Sequence, residues 1–361
     1  MASFDMTKIG MVTITHKENL QDVLARAVGT DAGLAPVAPV IERIAAAAVE
    51  LADLISLGRL GGDGHAAVGG FNEDGDAQKH LDVVANDLVI DAMKHAQVAI
   101  VLSEELKEPL LLDPDAPLAV AIDPLDGSSN IDANVSIGTI FSVLPRLASA
   151  RDLKAHFLQP GRNQLAAGFV IYGPQTSLVL AIAGQTHVFI LDRSSGRFLL
   201  AIEALKIPKD SCEYAVNASN YRHWTPSVQA FIDDCTQGAE GPFKRNYNMR
   251  WIASLVAEAY RILCRGGVFL YPGDRRSGYG SGRLRLVYEA NPIALIVEFA
   301  GGAATDCLDH VLDARPADVH VRTPLVFGSA NLVDCITRYH ADPQFSAERA
   351  PLFGRRGLIR Y

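Results

Sequence analysis

Two acids follow an apolar run at short spacing. Leu118-Ala-Val-Ala-Ile122 leads into Asp123-Pro-Leu-Asp126, and Gly127-Ser-Ser129 comes directly behind. An unbroken apolar run of this length reads as a buried strand. Pro124 lacks the N–H that a ladder needs, so the strand is expected to end at Asp123 and the chain to turn there. The turn gathers the carboxylates of Asp123 and Asp126 and the carbonyl of Leu125 at one strand end. Such oxygens suit a hard cation such as Mg²⁺. The free backbone N–H groups of Gly127, Ser128 and Ser129 suit a phosphate. An Asp-Gly pair alone would be an acidic turn. A second acid, a proline and two serines fused to a buried strand point instead to metal-assisted phosphate chemistry.

Other predicted strands end in acids too. A short strand over 98–102 runs into Glu104 and Glu105, and a strand over 284–288 delivers Glu289. In open α/β sheets, ligands bind beyond the carboxyl ends of strands. Carboxylates brought together there repel one another, so a cation belongs among them. Rival chemistries lack their residues. The ten histidines are dispersed and none pairs with a cysteine at zinc spacing. There is no G-x-S-x-G elbow for a serine nucleophile and no Walker A run for ATP. Gly278-Tyr-Gly-Ser-Gly282 stands between two predicted strands and reads as a flexible hairpin connection. Arg275, Arg276, Arg283 and Arg285 around it form a cluster suited to a second phosphate on the substrate.

The elements that must position these groups alternate. Apolar residues at Val37, Val40, Ile41, Ile44, Leu51, Leu54 and Ile55 make one helical stripe over 36–58, and glycines follow it. Residues 61–76 are glycine-rich without periodicity and read as a mobile loop. A second helix is predicted over 79–95. Strands follow over 135–144, 168–172, 178–183 and 187–191 with short turns, which predicts one antiparallel sheet over about 133–205. Beyond residue 213 helices and strands alternate again. A helix over 251–265 stops at Gly266-Gly267, a strand covers 268–271, and Asn291-Pro292 is expected to cap a helix that Gly301 closes.

Bulk properties agree with a large buried core. The chain has 361 residues, 49% of them hydrophobic and 20% charged. A formal net charge of −8 argues against nonspecific nucleic-acid binding. A phosphorylated substrate would then need locally placed cations. Five scattered cysteines without a CxxC pair suggest reduced thiols and a cytoplasmic protein. No signal peptide is expected in residues 1–10, and no apolar run approaches the roughly 18 residues of a membrane span.

Taken with their order, these motifs resemble the class I fructose-1,6-bisphosphatases, within the Mg²⁺-dependent, Li⁺-sensitive sugar and inositol phosphatase superfamily. The resemblance rests on Ser103-Glu-Glu105, Asp123-Pro-Leu-Asp-Gly-Ser-Ser-Asn-Ile-Asp132, Gly138-Thr-Ile-Phe141, Gly267-Val-Phe-Leu-Tyr-Pro272 and Leu284-Arg-Leu-Val-Tyr-Glu-Ala-Asn-Pro292. It covers about 78–329 and is closest in character to bacterial, carbon-fixation-type members.

The resemblance implies an α/β fold, layered as an α/β/α/β/α sandwich of the sugar phosphatase type, and a homotetramer. It implies a first, allosteric-type domain over 10–208 carrying most metal ligands, a sugar-phosphate-binding domain over 209–340 and a tail over 341–361. Two or more Mg²⁺ per subunit, with Mn²⁺ able to substitute, would be held by Glu104, Asp123, the Leu125 carbonyl, Asp126 and Glu289. Asp82 and Glu105 would help deprotonate the attacking water, and Asp76 would sit on a mobile loop closing over the site. Asp126, Gly127, Ser128 and Ser129 would hold the 1-phosphate and sugar. Asn217, Tyr271 and Arg283 would hold the 6-phosphate, with Arg250 reaching in from a neighbouring subunit.

The activity implied is hydrolysis of the 1-phosphate of fructose 1,6-bisphosphate, in gluconeogenesis or the Calvin cycle, with neither nucleic acid nor membrane as a partner. Sedoheptulose 1,7-bisphosphate is the alternative substrate, and a non-catalytic sugar-phosphate sensor the rival of another class. Three features depart from the family pattern: Arg283 stands where a lysine is common, Trp251 where a tyrosine is, and residues 28–43 lack the threonine-rich run that binds AMP in animal-like members.

Overall fold

Alternate side chains along the strands face different cores, and that alternation builds the layers. In the computed structural model the described residues are 18–58, 67–71, 77–150 and 152–341. Helices α1 (Leu20–Thr30) and α2 (Val37–Leu57) come first, then a hairpin of β1 (Ala67–Phe71) and β2 (Ala77–Lys79), then α3 (His80–Lys94). Strands β3 (Val98–Ser103), β4 (Leu110–Leu111), β5 (Leu118–Asp126), β6 (Ile137–Pro145), β7 (Ala166–Tyr172), β8 (Thr176–Ile182), β9 (Gln185–Asp192) and β10 (Arg197–Ile202) follow. They form one eight-stranded sheet in the order β10-β9-β8-β7-β6-β5-β3-β4. Within it β3 and β5 are parallel, and β5 through β10 run antiparallel; β6 to β9 are the four strands expected in one antiparallel sheet over 133–205, and β5 and β10 extend it.

The second half contributes β11 (Glu213–Ala215), α4 (Pro226–Thr236), β12 (Asn248–Met249), α5 (Leu255–Arg265), β13 (Val268–Tyr271), β14 (Leu284–Arg285), α6 (Asn291–Phe299), β15 (Ala303–Thr305), β16 (Arg322–Thr323), β17 (Leu325–Gly328) and α7 (Ala330–Ala341). Here the main sheet has the order β12-β11-β13-β17-β15, and β14 pairs with β16 apart from it.

Three large cores stack between these elements. Leu178 and Leu180 of β8 face the α1, α2 and α3 side, while Val179 and Ala181 face α5 and α6. Phe269 and Phe327 join that middle core, whereas Val268, Leu270 and Val326 face α4 and α7. Helix, sheet, helix, sheet, helix is the resulting order. Phe269 stacks on Phe327 with ring centroids 5.0 Å apart, a pairing that contributes roughly 0.5–1.5 kcal/mol beyond its buried area.

Several expectations need correction. Pro124 does not end its strand. β5 continues to Asp126 because β6 keeps pairing with it: Asp123 faces Ile140 and Asp126 faces Gly138, so one extra residue bulges between them. The Pro124 carbonyl, free of the ladder, accepts the Thr139 hydroxyl at 2.8 Å. The helix expected from residue 251 starts at Leu255, because Ala253 has φ +59 and Ser254 caps the helix by accepting the Ala257 N–H. Arg250 therefore lies on extended chain next to β12, not at a helix start.

The strand expected over 284–288 stops at Arg285, and Leu286–Ala290 form a π-helical turn that runs straight into α6. Glu289 comes off that turn rather than off a strand end. Asn291 is not an extended cap, since Ala290 before it is already helical, although Pro292 does occupy the first turn. Strand β1 falls inside the stretch expected to be loop. Helix α1 was not anticipated, although Asn19 and Asp22 form a reciprocal capping box at its start.

Candidate active site

The bulge in β5 places Asp123 and Asp126 on the same spot as Glu289. One oxygen from each lies within 4.8 Å of the other two. Asp123 and Asp126 are both buried. Burial, and then the charges of Glu104, Asp126 and Glu289, hold the Asp123 carboxyl well above the usual carboxylate range. Burial pushes Asp126 up to about 7; the Val256 N–H opposes this and Glu104 adds to it. Glu289 is likewise raised, by burial first and by Asp126 next, against the N–H it accepts from Arg285 at 2.5 Å. Three acids that hold protons this tightly form a site wanting positive charge.

Neighbouring elements fix these groups. The Leu125 N–H donates to Asp123 Oδ1 at 3.0 Å across the bulge, while the Leu125 side chain joins the first core. Val256, in the first turn of α5, donates its N–H to Asp126 Oδ2 at 3.4 Å. α5 can approach so closely because residue 138 is glycine: a Cβ there would meet the Val170 carbonyl at 2.4 Å and Val256 at 2.7 Å. Glu104 leaves the end of β3 and accepts Arg285 Nε at 3.1 Å. Arg285 is buried, so this ion pair needs its other contacts to offset desolvation.

Glu105 follows, its N–H on Ser103 Oγ, which itself donates to Asn86 Oδ1 at 2.7 Å. Asp82 is buried one turn before Asn86 on α3, and α3 packs on β3 and β5. Gly127 has φ +79, a conformation glycine adopts without strain, and opens the 3₁₀ turn Ser128–Asn130. Asn130 Nδ2 donates to the Ala253 carbonyl at 2.8 Å, joining this turn to the chain entering α5.

A second cluster surrounds a cavity of about 190 Å³ lined by Asn217, Asn220, Tyr271, Asp274, Arg276 and Arg283, among others. Asn217, Tyr271 and Arg283, which come from separate stretches of the second half, thus share one cavity. Arg250 does not line it. Its Nε stands 3.8 Å from Glu213, and about half its side chain is exposed. Trp251 stacks on Phe269 at 5.9 Å and lies beside Tyr271 at 6.3 Å.

The four clustered arginines have separate roles. Arg275 holds the carbonyls of Arg222 and His223. Arg276 is gripped by Asp274, and Arg285 serves Glu104. Arg283 Nη1 donates to the Tyr279 hydroxyl at 2.7 Å. The 278–282 glycine loop joins strands of different sheets, so it is no hairpin. It closes on itself, with the Tyr279 carbonyl accepting the N–H groups of Asp274 and Gly282, each at 3.0 Å. Asp76, residues 10–17 and the expected tail beyond Ala341 lie outside the described residues.

Sequence patterns alone did not identify Arg285 as the partner of Glu104, or Val256 and Asn130 as the groups tying the acids to α5. Only Ser254 carried a local signal, a serine three residues before the N–H it caps.

Comparison with known proteins supplies the context. Residues 39–203 match the family described as "Fructose-1-6-bisphosphatase, N-terminal domain" and residues 207–341 its "C-terminal domain". A "Fructose-1,6-bisphosphatase class 1" of Rhizobium meliloti is 58% identical over 325 residues, covering 90% of this chain and 93% of that protein. One from Methylobacterium radiotolerans is 51% identical over 341 residues, covering 94% and 97%. A solved structure, that of Leishmania major fructose-1,6-bisphosphatase in holo form, superposes with a TM-score of 0.83 at 31% identity, covering 91% of this chain and 100% of that one.

Proposed function

The chain belongs to the class 1 fructose-1,6-bisphosphatase family, and from that membership we propose how its residues divide the work. It is a phosphatase that hydrolyses fructose 1,6-bisphosphate to fructose 6-phosphate and phosphate, a step of carbohydrate metabolism and gluconeogenesis. The observation that carries the assignment of residues is the convergence of Asp123, Asp126 and Glu289 within 4.8 Å, all buried or nearly so.

The donor set fits a metal. It is all oxygen, and its acids would have to keep their protons without a cation. Asp123, Asp126, Glu289, Glu104 and the Leu125 carbonyl would hold two or more Mg²⁺, with Mn²⁺ as a substitute. Bound there, the metal supplies Lewis-acid polarisation of the phosphoryl oxygens and neutralises charge at the leaving alkoxide. Asp82 and Glu105 take up the proton of the attacking water. Asp126 and the Gly127, Ser128 and Ser129 backbone orient the 1-phosphate and sugar for in-line attack. Asn217, Tyr271 and Arg283 grip the 6-phosphate, and Arg250 completes that grip from a neighbouring subunit of a homotetramer. The first unit, 10–208, thus carries most metal ligands and the second, 209–340, the distal phosphate. A cytoplasmic enzyme is the reading that the five cysteines without a CxxC pair favour. Among the described residues no helix is long and apolar enough to cross a membrane.

A phosphate-release assay tests the assignment, run with Mg²⁺ and with EDTA on fructose 1,6-bisphosphate, sedoheptulose 1,7-bisphosphate, fructose 1-phosphate and inositol 1-phosphate. Release should require the cation, and kcat/KM for fructose 1,6-bisphosphate should exceed that for either monophosphate by about tenfold or more, the worth of one charge-assisted contact. Equal rates on the seven-carbon bisphosphate would make the enzyme dual-specific. Binding without release would make it a sensor.

Protons and metal compete for the same oxygens. The acids hold protons more tightly folded than unfolded, so their burial is free of cost at pH values where both states are protonated. The penalty grows as pH rises above the unfolded carboxylate range, and for Asp126 it levels off only at about 7. A cation removes the penalty. Saturating Mg²⁺ should therefore raise the melting temperature more at about pH 8 than at about pH 6. Calorimetry with and without EDTA at both pH values checks this; an equal or larger shift at the lower pH contradicts it.

A further inference from the structure

Tyr279 belongs to none of the groups assigned so far, yet it touches two of them. The guanidinium carbon of Arg276 lies 4.2 Å from the centre of its ring, and that of Arg283 lies 4.8 Å away. Its hydroxyl accepts Arg283 Nη1 at 2.7 Å. All three side chains line the distal cavity. Two guanidinium groups beside one ring would ordinarily repel, but each gains from the ring's negative face.

The two arginines are not equivalent. Asp274 takes Arg276 on both carboxylate oxygens, with Nε at 3.0 and 3.1 Å, and also accepts the Arg276 backbone N–H at 2.9 Å. That carboxylate matches the charge of Arg276. Arg283 is exposed, and its side chain donates to the Tyr279 hydroxyl rather than to a carboxylate. Its charge is therefore the one left to meet an anion in the cavity. The tyrosine itself cannot drift. Its N–H donates to the Arg276 carbonyl at 3.1 Å, and its carbonyl accepts from Asp274 and Gly282. A Cβ at Gly273 would stand 2.3 Å from the Gly280 carbonyl, so the loop folds tightly onto itself around this residue.

We propose that Tyr279 is the positioning residue of the distal phosphate subsite, a spacer that holds Arg283 toward the phosphate while Arg276, neutralised by Asp274, braces the ring from its own side of the loop. The proposal rests on the distal-phosphate reading of this cavity. It explains how a long, exposed arginine can bind a phosphate without first ordering its own rotamers, since much of that ordering is already done by the ring.

Comparing kcat/KM for fructose 1,6-bisphosphate with that for fructose 1-phosphate, which lacks the distal phosphate, tests it. Arg283→Ala should lower the bisphosphate-to-monophosphate ratio by about tenfold or more. Tyr279→Leu should lower the ratio about two- to fivefold, through KM rather than kcat, and Tyr279→Phe, which keeps the ring, should fall between it and the parent. In the Arg283→Ala background, Tyr279→Leu should have no further effect on the ratio, because it acts through Arg283. An unchanged ratio in Tyr279→Leu, an equal loss on both substrates, or an additive loss in the double variant would overturn the proposal. If Arg283→Ala itself leaves the ratio unchanged, the distal-phosphate reading falls as well.

Discussion

An Asp126→Asn enzyme turns over about a thousandfold more slowly than its parent, yet in EDTA at about pH 8 it melts at a higher temperature. The first effect follows from removing a charged oxygen from a cluster whose cation contributes several kcal/mol of barrier lowering. The second follows from the electrostatics of the empty cluster. Asp126 is held to about 7 by burial, and it also raises Asp123 and Glu289. A neutral amide removes that repulsion, and its carbonyl oxygen can still accept the Val256 N–H that Asp126 accepts. Phosphate release with Mg²⁺ and calorimetry in EDTA check the pair. Turnover within tenfold of the parent, or a lower melting temperature, would show that Asp126 is not a ligand in a repulsive acidic cluster.

Arg250→Ala raises KM about 10- to 100-fold, the equivalent of one charge-assisted contact of roughly 1.5–3 kcal/mol. Glu213, the acid nearest Arg250, is already taken by Arg261 at 2.6 Å and Arg265 at 2.8 Å. The positive charge of Arg250 is therefore surplus to its own surroundings. Met249 and Ile252 on either side are 47% and 37% exposed, an apolar surface that fits burial against another copy of the chain. The contact should act in trans. Refolding Arg250→Ala together with Asp126→Asn should rebuild some sites in which a complete acid cluster faces an intact Arg250, restoring part of the activity at low substrate. Mixed oligomers seen by mass spectrometry, with activity equal only to the sum of the parents, would place Arg250 outside any neighbour's site.

What the sequence made legible was local. The β6 to β9 meander, α2, α3 and the acids of β5 each carry their pattern in adjacent residues. The misreadings came where a distant partner overrode a local rule. Pro124 should end a strand, but β6 supplies Thr139 for its carbonyl and the ladder resumes. Leu284, Leu286 and Tyr288 alternate as a strand would, but Glu289 accepts the Arg285 N–H and winds the chain into a π turn. Arg285 looked like one of four phosphate-seeking cations because its true partner, Glu104, lies 181 positions away. The start of α5 was placed too early because Trp251 and Ile252 fit the apolar pattern, whereas the positive φ of Ala253 is a backbone property with no apolar signature. α1 was readable from its capping box and the spacing of Leu20, Val23, Leu24 and Ala27, all buried.

The separation of Asp126 from Val256 by 130 positions, and of Asn130 from Ala253 by 123, has a consequence for the order of events in synthesis. A ribosome extends the chain from its N-terminus, so every strand of the eight-stranded sheet exists before α5 or Glu289 has been made. That sheet can pair and bury its apolar faces early, because β5 to β10 pair with their neighbours in chain order. Asp126 must then wait for the Val256 N–H, and both Asp123 and Asp126 for the third carboxylate, until the second half arrives. Competence for catalysis is thus a late event of folding, and the nascent first half carries a half-built cation site that no longer exists as such once the chain is complete.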